Sequence, residues 1–319
     1  MVTDAERAQR AAALRGLLYL ACPDAPATAI TATAEAIAQR AQETPREAVP
    51  EAQELRKHSP PSGGFLNLVG SDLGNARLVG SHLSRADLAG ADLGGADLTN
   101  ARLVGADLTN AFLSDTNLAG ADLTGANLVD AYLNRAHLPN AILTDAYLSD
   151  ARLVGADLTG ADLVGAHLNR AFLRDAILTA AHLNGANLSY ASLPAARLAG
   201  ADLAGADLTD AQLTNADLTD AQLTGADLTN ADLTEAHLTR ADLTRAELSY
   251  ADLAGADLTG AQLMGAVGMR LPPGAIWDWE TTWPAELASV VAEQSDEVRP
   301  GVYRVRTGPA PDRSGAVRV

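Results

Sequence analysis

Asp162, His182 and Asp202 stand twenty residues apart, and so do Asp217, His237 and Asp257. An imidazole between two carboxylates is a set that can bind zinc or pass a proton. The other histidines of the same stretch, His82, His137 and His167, are scattered. No Gly-rich phosphate loop, nucleophile elbow, HExxH or CxxC occurs. Whether the two His/Asp sets do chemistry depends on the elements that carry them.

Those elements are set by one period. Every fifth residue from Leu68 to Leu263 is leucine, forty in all. Alanine precedes each by two positions except at Leu66, Ser71, Ser81 and Thr116. On an α-helix a step of five turns the face by roughly 140° and scatters the leucines. In one long strand an odd step sends them to opposite faces. All forty point inward only if the chain turns once per pentad, which predicts a solenoid filled with Leu and Ala. Gly, Asn and Asp predominate two residues after each leucine, where a turn is needed.

The pattern A-(D/N)-L-(T/S)-x, as in Ala106-Asp107-Leu108-Thr109-Asn110, resembles the pentapeptide-repeat family over residues 66–265. The resemblance implies an all-β solenoid, a right-handed four-sided β-helix with one pentad per side. The period alone also allows three or five sides. With four sides, the 200 repeat residues make about ten coils, ~48 Å long at the ~4.8 Å spacing of stacked strands. Residues twenty apart then stack on one face. The two His/Asp sets become columns on an open convex surface, with no pocket and no converging third ligand. No enzyme, cofactor or metal site is expected.

One column breaks the polar pattern. Phe112, Tyr132, Arg152 and Phe172 follow one another at twenty-residue steps, with Tyr147 on the adjoining face and Ile142 and Ile177 on the other two. Two readings stand: a self-stacking ladder that stabilises the coils, or an exposed patch that binds a partner.

The chain carries 40 acidic and 23 basic residues, net −17. The repeat block alone has 25 acids and 10 arginines, while each flank is net −1. Asp207, Asp217, Asp227, Asp232, Asp242, Glu247, Asp252 and Asp257 concentrate the charge in the last three coils. Such a surface argues against direct nucleic-acid or anionic-membrane binding. Some relatives occupy the DNA-binding saddle of type II topoisomerases as acidic rods, so the resemblance admits DNA gyrase or topoisomerase IV as partner. A duplex of that length carries about 28 negative charges, roughly twice the net charge of the repeat block.

The flanks read as caps. Residues 1–64 are expected to form helices at roughly 4–21, 27–42 and 46–57, closed by a Pro/Gly hinge at 60–64. This resembles the helical segment before the repeats in actinobacterial members. Residues 266–319 hold Trp277, Trp279 and Trp283, as an end cap or a dimerising surface. A helix from Pro284 to about Gln294 and a strand over 302–306 are expected there, followed by a disordered tail. The single cysteine, Cys22, forbids an internal disulfide, and no apolar run spans a bilayer. The expectation is a cytoplasmic, non-enzymatic interaction or scaffold module from a bacterium, able to form a homodimer. The alternative is a DNA mimic acting on a type II topoisomerase.

Overall fold

The computed structural model describes residues 66–308. The helices expected over 1–64 and the tail beyond Gly308 lie outside the described residues. The chain divides into two compact units, one ending at Ile177 and one starting at Leu178. Each is described by itself.

Both units are built from the same five-residue step. The residue before each leucine pairs in parallel with its equivalent twenty residues on, from Asn67↔Asp87 to Asp157↔Ile177 in the first unit and from His182↔Asp202 in the second. Four pentads therefore make one turn of a β-helix. Three backbone bonds per pentad run between turns. Leu93 N donates to the Phe112 carbonyl (2.7 Å), Gly95 N to Ser114 (3.0 Å) and Asp92 N back to Ser71 (2.9 Å). A fourth bond, Ala96 N to Leu93 O (2.9 Å), closes a β-turn at the corner.

The turn has positive φ at its third residue, the mark of type II. This holds at every fifth position from Gly70 to Gly265 without exception. Of these forty corners, 17 are glycine and 23 are not. Arg, Tyr, Glu and Ala each occupy at least one, at a cost of roughly 1–2 kcal/mol per residue. Inter-turn bonding and core burial overdetermine the corner, so the strain is carried.

Inside, all forty leucines are buried, and so are the alanines except Ala76 and Ala251. The hydroxyl-bearing substitutes for alanine are buried as well. Ser71 Oγ donates to the Leu68 carbonyl and Thr116 Oγ1 to the Leu93 carbonyl, both at 2.7 Å. Ser81 Oγ is buried with no partner among the described residues.

The leucine period ends at Leu263, but the backbone pairing continues. Glu247 pairs with Val267, Asp257 with Ile276 and Gln262 with Thr282. Strand β1 (Ile276–Asp278) thus extends the second unit's coil and also starts a three-stranded antiparallel sheet. Its order is β1-β3-β2, with β2 at Ser295–Arg299 and β3 at Val302–Val305. The open edge, β2, carries Asp296, Glu297 and Arg299 and a register shift, features that resist edge-to-edge pairing.

Helix α1 is shorter than the sequence predicts, covering Ala285–Ala288 only. Turns follow, and they deliver Ser295 to the indole of Trp277 (Trp277 Nε1 to Ser295 Oγ, 2.9 Å). A helix carried on to Gln294 gives way to that contact. Among the described residues no helix is long and apolar enough to cross a membrane.

Candidate protein-interaction faces

The residue before each leucine does more than face outward. All twenty Asp and Asn at that position accept a bond from the backbone N–H two residues on, at 2.9–3.3 Å. That N–H belongs to the first turn residue and is the one backbone donor that the ladder leaves over. The short side chain reaches it as an Asx-turn. Glu247 does the same for Ser249. Two pentads have proline at the turn, His137-Leu138-Pro139 and Ser192-Leu193-Pro194, and neither has Asp or Asn before the leucine. With no N–H to satisfy, no acceptor is needed.

The eight acids of the sequence-derived acidic surface, Asp207, Asp217, Asp227, Asp232, Asp242, Glu247, Asp252 and Asp257, are all engaged in this way. They do not form one face. Asp207, Asp227 and Glu247 stack as an uninterrupted carboxylate column. Asp232 and Asp252 form a second. Asp217 and Asp257 are separated by His237, and Asp242 lies between Gln222 and Gln262. Burial alone would raise the Asp232 and Asp242 carboxyls. Bonds from Thr234 and Thr214 to the first, and from Thr244 and Thr224 to the second, bring both below the ordinary value.

His237 therefore sits between two carboxylates, as the sequence spacing requires, but each bonds its own turn. His182 pairs with Asp202, whose carboxylate likewise holds the Ala204 N–H. No three metal-binding side chains converge among the described residues. A contact that sequence reasoning missed is His137 Nδ1 to Asp157 Oδ2, at 3.1 Å. The same twenty-residue spacing was its signal.

The aromatic column forms as a stacked ladder in the first unit. The Phe112 and Tyr132 rings lie 5.1 Å apart and 18° from parallel. The Arg152 guanidinium covers the other face of Tyr132 at 5.0 Å. Arg152 pairs in turn with Phe172 along the backbone. On the adjoining face Tyr147 stacks on His167 at 4.9 Å and 3°. Much of the column stays uncovered: Phe112 is 49%, Tyr147 48% and Phe172 48% exposed, while Tyr132 is half-buried. The Tyr132 ring meets Phe112 and Arg152 face-on, so its edge turns to solvent.

At the corners, Arg135 grips Asp115 through two bonds (2.8 and 2.7 Å), and Arg170–Asp150 and Arg240–Asp220 repeat the arrangement. The arginine bond holds each of these three carboxyls below the ordinary range. Tyr190 and Tyr250 also occupy positive-φ corners and are exposed. Sequence reasoning passed over them, although a bulky residue where Gly, Asn or Asp is usual was a visible signal.

The tryptophans divide. Trp277 is buried, stacked on Tyr303 at 4.7 Å and edge-on to Trp283 at 6.0 Å. Trp279 projects outward, 77% exposed.

These features match known proteins in one way. The family model for pentapeptide repeats matches in eight copies, across residues 67–103, 101–140, 141–179, 181–220 and 221–260. Among proteins of curated function none matches. The solved structure of HetL, a pentapeptide repeat protein involved in heterocyst differentiation regulation from the cyanobacterium Nostoc sp. strain PCC 7120, is 37% identical. That match covers 62% of this chain and 89% of HetL, with a TM-score of 0.48. A pentapeptide repeat protein of the Arabidopsis thaliana thylakoid lumen is 34% identical over 36% of this chain and 70% of its own, with a TM-score of 0.24. QnrB1, a plasmid-mediated fluoroquinolone resistance protein, is 22% identical over 68% of this chain and 93% of its own, with a TM-score of 0.36. With the repeat model matched over more than half its length, and with twenty-residue pairing in both units, the chain belongs to the pentapeptide-repeat family.

Proposed function

We propose that this chain acts by binding a protein partner, without chemistry of its own, and that the column Phe112–Tyr132–Arg152–Phe172 with Tyr147 is the binding face. The observation that carries this is exposure without need. Stacking would stabilise the coils even with the rings more deeply covered, yet Phe112 and Phe172 remain about half exposed on a backbone held by inter-turn bonds. Exposed aromatics on a rigid frame lose little entropy on binding. The test is association of full-length protein with its partners in extracts, wild type against Phe112→Asp plus Phe172→Asp. Asp is the commonest residue at these positions, so the fold is retained. Loss of a specific partner is expected, and an unchanged partner set rejects the face.

A second reading is favoured by the column Asp207–Asp227–Glu247. Carboxylates stacked at strand spacing offer a row of charge that a DNA-binding saddle could accept, with DNA gyrase or topoisomerase IV as the partner. Supercoiling by gyrase, with and without a poison, measures it. Neither inhibition nor protection at micromolar protein rejects the mimic. The single cysteine fits a cytoplasmic protein. Trp279 is the tryptophan left to contact a second copy.

A further inference from the structure

At Phe112 and Tyr132, as at other pentads with neither Asp nor Asn before the leucine, the turn N–H lacks the usual acceptor. From Tyr132 to Arg152 five consecutive pentads lack Asp or Asn before the leucine, and only that of His137, with Pro139 at its turn, has no N–H to cap. On the aromatic column, the Ser114 and Asn134 N–H groups are those that an Asp at Phe112 or Tyr132 would satisfy. Neither has an acceptor among the described residues. The next N–H along, that of Val154, makes do with Asn134 Oδ1 at 3.3 Å. Arg152 forms no ion pair among the described residues, and no acid occupies the column between Phe112 and Phe172. The outward ring edges are the electropositive part of each aromatic.

We infer that this face takes an acidic segment of another protein, whose Asp or Glu carboxylates occupy the places beside the Ser114 and Asn134 N–H groups that this chain's own aspartates fill in other pentads. The inference rests on the reading of the aromatic column as an interface and specifies its partner. The chain itself displays the bond twenty times, as in Asp107 Oδ1 accepting from Thr109 N at 3.0 Å. Arg152 supplies the counter-charge, and the Phe112 and Tyr132 edges cover the aliphatic part of the acid side chain. The corner acid nearest Ser114, Asp115, is neutralised by Arg135. On the corner that precedes this face, Arg170 bonds Asp150 and also feels the charge of Asp130. A polysaccharide fits less well, because sugars stack on ring faces, and both faces of Tyr132 are occupied.

The probe is a decapeptide alternating Glu and Thr, with Gln/Thr and Lys/Thr versions as controls. It is added to the full ¹⁵N-labelled chain while backbone amide shifts are followed. Expected is a saturable downfield shift of the Ser114 and Asn134 amides with the Glu peptide. Binding should weaken ~10-fold or more for the Gln peptide, the worth of about one charge-assisted bond. Phe112→Asp with Tyr132→Asp, which caps both N–H groups internally, should abolish the peptide-induced shift of those amides while amides of the repeat remote from the column keep their positions. Arg152→Gln should weaken binding and leave the fold intact. No shift with the Glu peptide, equal binding of the Lys peptide, or undiminished binding by the self-capped variant overturns the inference. If extract partners are lost in Phe112→Asp plus Phe172→Asp while the Glu peptide fails to bind, this inference falls and the interface stands. If neither responds, the interface reading has failed with it.

Discussion

Asn100 lies over Gly120: a Cβ on Gly120 would stand 2.5 Å from the Asn100 Oδ1, and the glycine's φ is +63°. The corner side chain of one turn of the helix thus rests on the glycine of the next. Asp145 over Gly165 repeats the relation at 2.5 Å, whereas Gly125 has nothing within 4 Å at a similar φ. Gly125→Ala should cost only the left-handed strain, about 1 kcal/mol. Gly120→Ala should cost more, since Asn100 must also move. Chemical denaturation of the three proteins checks this, and equal losses would show that the Asn–Gly contact has no consequence.

Ser81 replaces an alanine in the core, and its Oγ is buried without a partner among the described residues. Thr281 stands in the corresponding place beside the last turn, but its hydroxyl donates to the Leu258 carbonyl at 2.8 Å and accepts from Gly260 N at 3.2 Å. Ser81→Ala should stabilise the protein by about 1 kcal/mol, because it removes an unmet polar group. Thr281→Val should cost about 1–3 kcal/mol, because it leaves buried partners unmet. Thermal melting of both variants should move in opposite directions.

The shifted carboxyls give a pH dependence with a definite sign. Asp115, Asp150 and Asp220, bonded by arginine, and Asp157, Asp232 and Asp242, bonded by threonine, all lie below the ordinary aspartate value in the folded chain. The unfolded chain therefore binds more protons, and stability rises with pH through this range. The contribution is complete above the ordinary carboxyl value and is lost as pH falls through the lowered ones. Denaturant midpoints should be flat near neutrality and drop below about pH 4. The triple variant Asp157→Asn, Asp232→Asn, Asp242→Asn should show a shallower drop.

The inside of the β-helix was legible because its rule is local. One leucine per five residues admits few chain paths, and Gly, Asn and Asp two residues later mark the corner. The outward aromatic column was legible too, once residues twenty apart could be taken as neighbours. The second use of the acids was not. Asp227 reads as charge in the sequence, and only the turn geometry shows its Oδ1 bound to the Thr229 N–H. The C-terminal cap was the least legible part. Trp277 meets Tyr303 and Ser295 through strand pairing between segments that share no period. No spacing could separate buried Trp277 from exposed Trp279.

The double duty of the acids also decides how a charge-based function must be tested. Asp227→Ala removes a charge and also strands the Thr229 N–H, so a lost activity could report a loosened corner. Asn keeps the acceptor: Asn127 Oδ1 takes the Val129 N–H at 3.2 Å, while its Nδ2 reaches Thr109 Oγ1 at 2.8 Å. Asp207→Asn with Asp227→Asn should leave the melting temperature unchanged or raise it, since like charges on neighbouring strands are relieved. The alanine pair should lower stability by about 1 kcal/mol per site. If the carboxylate column engages a topoisomerase, the Asn pair should lose gyrase inhibition or protection as fully as the Ala pair. If only the Ala pair loses it, the charge is irrelevant to binding, and the column serves the turn alone.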